Sequence, residues 1–150
     1  MHRLQTISRY LWASPATAVG VLFSVLAVCA GATPRIVDGV VEVAGGRLRS
    51  FLSLLPPCAR FAAITFGHVV IGLDHRLLSA VRAHELVHVQ QYERWGVLFF
   101  PLYVASSIGQ LVCGRHPYLD NAFEREAYAR TAVRAEASPR VPPKSPPGGA

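Results

Sequence analysis

The chain has 150 residues, 51% of them hydrophobic and 16% charged, with a formal net charge of +6 carried by fourteen Arg and one Lys. That length allows one domain with one modest core, and the charged fraction is low for a water-soluble domain, where roughly a quarter is usual. The arginines are spread from Arg3 to Arg140, which excludes a dedicated nucleic-acid groove and makes membrane lipid, through its anionic headgroups, the expected electrostatic partner.

Residues 11–32 are 22 uncharged, mostly apolar positions preceded by His2, Arg3 and Arg9. That is enough helix to cross a hydrocarbon layer of about 30 Å. The positive start places the N-terminus in the cytoplasm and the rest of the chain on the extracytoplasmic side. Ala30-Gly31-Ala32 also matches a signal-peptidase site, so secretion after cleavage is the alternative to an uncleaved anchor. Residues 1–34 therefore read as an anchor or signal segment, 35–137 as the folded domain and 138–150, with five prolines, as a disordered tail. The cysteines Cys29, Cys58 and Cys113 form no CxxC pair, which argues against a cysteine zinc site; a Cys58–Cys113 disulfide is open to an exported domain.

RIVDGVVEV, residues 35–43, is β-branched on both sides of Asp38-Gly39 and predicts a hairpin. LRSFLSLLP predicts a short helix stopped by Pro56 and Pro57, and AAITFGHVVIG, residues 62–72, predicts one strand with an irregularity at Gly67. Asp74 and Gly96 are the cap residues of a helix over 75–95, on which Leu77, Val81, His84, His88, Gln91 and Trp95 share one face. Ser79, Arg82, Gln90 and Glu93 share the other, which reads as the charged stripe. The expected fold class is α+β: an N-terminal apolar helix, a small sheet, a zincin-like helix and a later helix that bears a further ligand.

His84-Glu85-Leu86-Val87-His88 is an HExxH arrangement. Two imidazoles one turn apart can hold a single zinc ion, while Glu85 serves as general base toward a water that the metal activates. A catalytic zinc needs a third protein ligand, and the compact HExxHxxGxxH spacing is absent here. His116, Asp120, Glu124 and Glu126 lie downstream. On a helix over 120–137, Glu126 aligns with Arg130 as a surface ion pair, which leaves Glu124 on the inner, small-residue face. Asn121-x-x-Glu124 is also a capping box, so Glu124 reads either as the third ligand or as a helix cap.

HExxH followed by Glu124-Arg125-Glu126-Ala127-Tyr128 resembles the gluzincin class of zinc metallopeptidases. Within it, the ExxAD element of CAAX prenyl endopeptidase-type membrane peptidases is similar, with Tyr128 standing where that family has aspartate. The pairing of HExxH with an N-x-F-E-R-E-A element also resembles small bacterial membrane proteins. The resemblance spans His84 to Tyr128 and implies one zinc ion held by His84, His88 and Glu124, with Glu85 catalytic and a peptide or protein as substrate. Tyr118, Tyr128, His116 and His68 are candidate oxyanion partners or supporting groups.

Residues 97–113 are 17 uncharged positions between the two halves of the site. A full crossing there would carry Glu124 to the wrong side of the membrane, so a zinc site requires a hairpin or interfacial segment. The expected function is a membrane-anchored zinc metallopeptidase. The alternative is a catalytically inactive metal-binding or scaffold membrane protein.

Overall fold

Asp38 and Gly39 both take positive φ, 52° and 79°, the turn that lets two twisted strands close directly on each other. They join β1 (Ala32–Val37) to β2 (Val40–Gly45) as an antiparallel pair with Val37 opposite Val40. The computed structural model describes residues 2–48, 50 and 62–137. The expected helix LRSFLSLLP, Cys58 and the tail 138–150 lie outside these, apart from Leu48 and Ser50.

The stretch 62–72 forms two strands where one is expected from sequence. β3 (Ala63–Phe66) and β4 (Val69–Gly72) pair antiparallel around a turn at Gly67-His68. Gly67, with φ 57°, reverses the chain rather than merely bulging it, and no Asn-Gly or Asp-Gly pair marks the turn in sequence. β2 and β4 run parallel, giving the order β1-β2-β4-β3, so that among the described residues β3 is an edge strand.

Helices cover both faces of this sheet, and strand alternation assigns the residues. Val41, Val43, Val69, Ile71 and Ile64 pack on one face with Ala27 of α1 (His2–Cys29); Val40, Ala44, Val70 and Ala63 pack on the other with Leu78, Leu86 and Val89 of α2 (His75–Trp95). The N-terminal helix thus shares a hydrophobic core with the sheet. Its inward stripe is small: Ala13, Ala16, Thr17, Gly20, Ser24 and Ala27. At Gly20 a Cβ would lie 2.7 Å from that of Val69, so only glycine admits the sheet at this distance. Pro15 sits inside α1 and cannot donate to the Leu11 carbonyl one turn back, and the Ser14 hydroxyl donates to that carbonyl instead at 2.7 Å.

α2 begins as the sequence predicts, with Asp74 accepting from the Leu77 amide at 2.8 Å, and ends where Gly96 takes φ 57°. Of its charged stripe, Ser79 and Gln90 are exposed, but the two charged members are engaged within the fold. Arg82 donates to both oxygens of buried Glu42 on β2, at 2.6 and 3.0 Å, and Glu93 meets His68 at 3.2 Å and Arg9 at 3.8 Å. The cause is the sheet and α1, which reach Arg82 and Glu93 on the side that helical periodicity alone assigns to water.

After a 3-10 turn at Gly96–Leu98, α3 (Phe99–Val112) returns past α2, with the Phe99 ring 4.3 Å from that of Tyr92 and the Tyr103 ring 6.5 Å from that of His88. α4 (Ala122–Ala137) then lies across α2.

Candidate metal centre

Three side chains from two helices converge. His84 and His88 present their Nε2 atoms 3.1 Å apart, His84 Nε2 is 3.1 Å from Glu124 Oε2, and His88 Nε2 is 3.4 Å from Glu124 Oε1. Four residues of α2 place the imidazoles one turn apart on one face. The first turn of α4 places the carboxylate, whose side chain is only 4% exposed.

Glu124 does not act as a helix cap. Asn121 caps α4, its Oδ1 accepting from the Phe123 amide at 2.9 Å, while its own N–H goes to the Tyr118 carbonyl rather than to Glu124. Asn121 is fully buried, and its amide nitrogen donates to the Tyr103 carbonyl at 3.0 Å and to Ser107 Oγ at 2.7 Å. These bonds tie the start of α4 to α3 and set the position of Glu124. Tyr103 completes the frame by donating its hydroxyl to Glu124 Oε1 at 2.7 Å.

The His88 tautomer follows from its neighbours. Gln91 is 1% exposed, and its amide nitrogen donates to the Phe123 carbonyl and to Glu126 Oε2, each at 3.0 Å. Both partners can only accept, so Gln91 Oε1 is the acceptor facing His88 Nδ1 at 2.8 Å. His88 therefore carries a proton on Nδ1, and in the neutral ring Nε2 holds a bare lone pair aimed at Glu124 and His84. Metal-bound histidines are commonly oriented in this way.

In the neutral ring the bare His88 Nε2 faces the Glu124 carboxylate, lone pair against lone pair, and a proton on His88 or a metal ion held by the three relieves that opposition. Burial opposes the charged form of His88. The hydrogen bond and charge of Glu124 outweigh it, helped by Gln91 and by the charge of Glu85, and the imidazole titrates above its ordinary value. Burial likewise works to raise the Glu124 carboxyl, but hydrogen bonds with His84, then with His88 and its charge, and then from Tyr103 hold it well below the usual carboxylate range.

The donor set also fits zinc. Bonds of about 2.0–2.1 Å in a tetrahedron separate neighbouring ligand atoms by about 3.3 Å, close to the distances among these three. Two neutral nitrogens and a carboxylate are hard-to-borderline ligands that suit zinc and other divalent transition metals. Among the described residues this is the one group of three His, Cys, Asp or Glu side chains with ligand atoms so close, all within 4.8 Å.

Glu85 stands beside this group and outside it. It is buried, and the Thr65 hydroxyl on β3 donates to its Oε2 at 2.7 Å. Tyr128 covers the His84 ring at a centroid distance of 4.6 Å. Partial burial, then its hydrogen bond with Tyr128 and the charge of Glu124, push the Tyr118 hydroxyl above its ordinary range.

His116 and His68 are elsewhere. His116 Nδ1 accepts from the amides of Tyr118 and Leu119 and shapes the α3–α4 loop, in which Asp120 accepts from the His116 amide at 2.9 Å. His68 stacks on Tyr10 at 4.0 Å and pairs with Glu93. Glu126 forms its ion pair with Arg130 at 3.5 Å in addition to accepting from Gln91. Gln91, Thr65 and Tyr103 are residues that the sequence reading does not single out for the site, although Gln91 shares the histidine face of α2; Asn121 is legible there only as a helix cap. No protein-family model, curated protein or solved structure matches the chain.

Proposed function

We propose that the protein is a membrane-anchored, zinc-dependent metallopeptidase of gluzincin type. The observation that carries this reading is the convergence of His84, His88 and Glu124 at tetrahedral spacing, with the His88 tautomer imposed by Gln91 and a buried carboxylate, Glu85, beside them. His84, His88 and Glu124 would hold a zinc ion, which would supply Lewis acidity toward a carbonyl and toward water. Glu85, anchored through one oxygen by Thr65, has the other available to accept a proton and return it to a leaving amine. In this reading Tyr128, whose ring packs on that of His84, and its neighbour Tyr118 are the candidates to donate a phenolic O–H to a developing oxyanion.

Thr65 also links the site to β3, the edge strand among the described residues, which in this reading takes an extended peptide as an added strand. α1 is long and apolar enough to cross a membrane over Arg9–Cys29, and in this reading it anchors the chain with the site on the extracytoplasmic side.

The enclosure of the ligands, with His84 at 11% and His88 at 9% side-chain exposure, favours a second reading. In that reading the metal is structural and the protein a scaffold in a membrane assembly. The test compares the wild type with Glu85→Gln for zinc by elemental analysis and for cleavage of a peptide library. The peptidase reading expects zinc in both and cleavage by the wild type alone; zinc in both with no cleavage by either leaves the scaffold.

A further inference from the structure

α3 has its polarity reversed. Phe99 is buried, and the other inward positions are Tyr103, Ser106, Ser107 and Gln110, whereas Phe100, Val104, Ile108, Leu111 and Val112 point outward, Ile108 56% and Val112 81% exposed. A helix on a water-soluble domain turns its apolar stripe inward and its polar residues out. Here the inward polar groups are used within the protein: Asn121 donates to Ser107, the Ala122 amide donates to Ser106, and Tyr103 donates to Glu124. The outward face carries no polar side chain at all.

α1 is built the same way. Its inward stripe is small and includes Thr17 and Ser24, and its outward face carries Leu11, Val19, Leu22, Phe23 and Leu26. The two outward faces meet at Gly96, whose Cα faces the Trp12 indole, with exposed Val97 and Leu98 continuing into α3. α4 is the contrast within the same molecule, since its outward positions include Arg125, Arg130, Arg134 and Glu136.

We propose that the outward face of α3 is embedded in the hydrocarbon of the bilayer that α1 enters, lying in one leaflet without crossing it. The proposal rests on the reading of α1 as a membrane helix. A helix of 14 residues is about 21 Å long, short of the roughly 30 Å hydrocarbon layer, and its far end must return Glu124 to α2. Exposed Arg94 and Arg115 flank the segment, where they can reach headgroup phosphates. Lipid fits this face better than a protein partner does. Protein interfaces carry about one hydrogen bond per 100–200 Å² and a polar rim, and this face offers neither donors nor acceptors from its side chains. The metal centre then lies directly beneath a lipid-covered helix, since Tyr103 on the inner side of α3 touches Glu124.

The test places single nitroxide labels on the full chain, with Cys29, Cys58 and Cys113 replaced by serine, in vesicles of phosphatidylcholine and phosphatidylglycerol at 3:1. Labels go at Leu22 on α1, Ile108 and Leu111 on α3 and Val133 on α4, and circular dichroism checks that each variant is folded. Collision with oxygen, which concentrates in hydrocarbon, is compared with collision with a water-soluble nickel chelate. The expected result is high oxygen and low nickel accessibility at Leu22, Ile108 and Leu111, and the reverse at Val133. Ile108 and Leu111 matching Val133 while Leu22 stays oxygen-rich would overturn the proposal and leave the anchor intact. Low accessibility to both reagents at Ile108 and Leu111 would overturn it in favour of a second protein chain on this face. A water-like Leu22 would remove the anchor reading and the proposal together.

Discussion

α2 carries two histidine–carboxylate clusters, and they differ in how many lone pairs converge. At the first, His84, His88 and Glu124 aim three donor atoms at one point, with Gln91 behind His88 and Tyr103 behind Glu124. At the second, near the C-terminal end of the helix, His68 faces the single carboxylate Glu93, whose other oxygen lies 3.8 Å from Arg9, and the ring stacks on Tyr10. The second cluster has one ligand nitrogen, and its negative charge already has a cation nearby. It joins α1, the β3–β4 turn and α2, and so reads as a clasp. A histidine beside a carboxylate is thus not by itself a candidate metal site; a convergence of three donor atoms is.

The largest expected effect separates the two clusters. His88→Ala removes a proposed ligand and should weaken zinc binding by more than about 100-fold, beyond what loss of a supporting contact costs. His68→Ala should leave zinc stoichiometry unchanged and lower unfolding stability by about 1–3 kcal/mol through the abandoned partner Glu93. Isothermal titration with zinc and denaturant unfolding measure the two effects. Equal zinc loss in both variants would erase the distinction.

Gln91→Leu keeps all three ligands and removes only what holds the His88 tautomer. Zinc affinity should fall about 10–100-fold with the stoichiometry still at one, and an unchanged affinity would show that the tautomer needs no support.

The third prediction concerns pH. In the metal-free chain His88 titrates above its unfolded value of about 6.5, so its stabilising contribution is present below that pH and is lost as pH rises through the higher folded value. Zinc requires the neutral ring, so the added stability from zinc should grow over the same interval. Melting temperatures with chelator and with zinc should therefore diverge as pH rises above about 6.5. Parallel curves would mean that His88 does not face the ion. Glu124, held below the usual carboxylate range, contributes above its unfolded pKa of about 4.3, and that contribution is lost only as acid carries the pH down through the folded value.

The smallest effect lies outside both clusters. Arg130 is exposed and pairs with Glu126 at 3.5 Å, so Arg130→Ala should change stability by less than about 0.5 kcal/mol and zinc affinity not measurably.

Much of this was legible in the sequence because it is local. Asp38-Gly39 marks a turn, Asp74 and Gly96 mark the ends of α2, and helical spacing alone puts His84 and His88 on one face and Glu124 on the inner face of α4. What was not legible depends on contacts between distant segments. Arg82 and Glu93 look solvated until the sheet and α1 are found beside them. Tyr103 lies 21 residues from Glu124 and Thr65 lies 20 from Glu85, with no shared period to announce either pair. The turn at Gly67-His68 lacks a strong turn dipeptide. The apolar length of α1 suggests an anchor and hides its second role, which is written only in the small residues Ala13, Gly20 and Ala27 that pack against the rest of the domain.

The central claim is that the triangle of His84, His88 and Glu124 is a zinc site. X-ray absorption spectroscopy at the zinc edge, on full-length protein loaded with one equivalent of zinc, tests it most directly. The account predicts a nitrogen and oxygen shell at about 2.0–2.1 Å, with outer scattering from two imidazoles that falls to one in His88→Ala. Folded wild-type protein that retains no zinc, or a spectrum unchanged by His88→Ala, would contradict it.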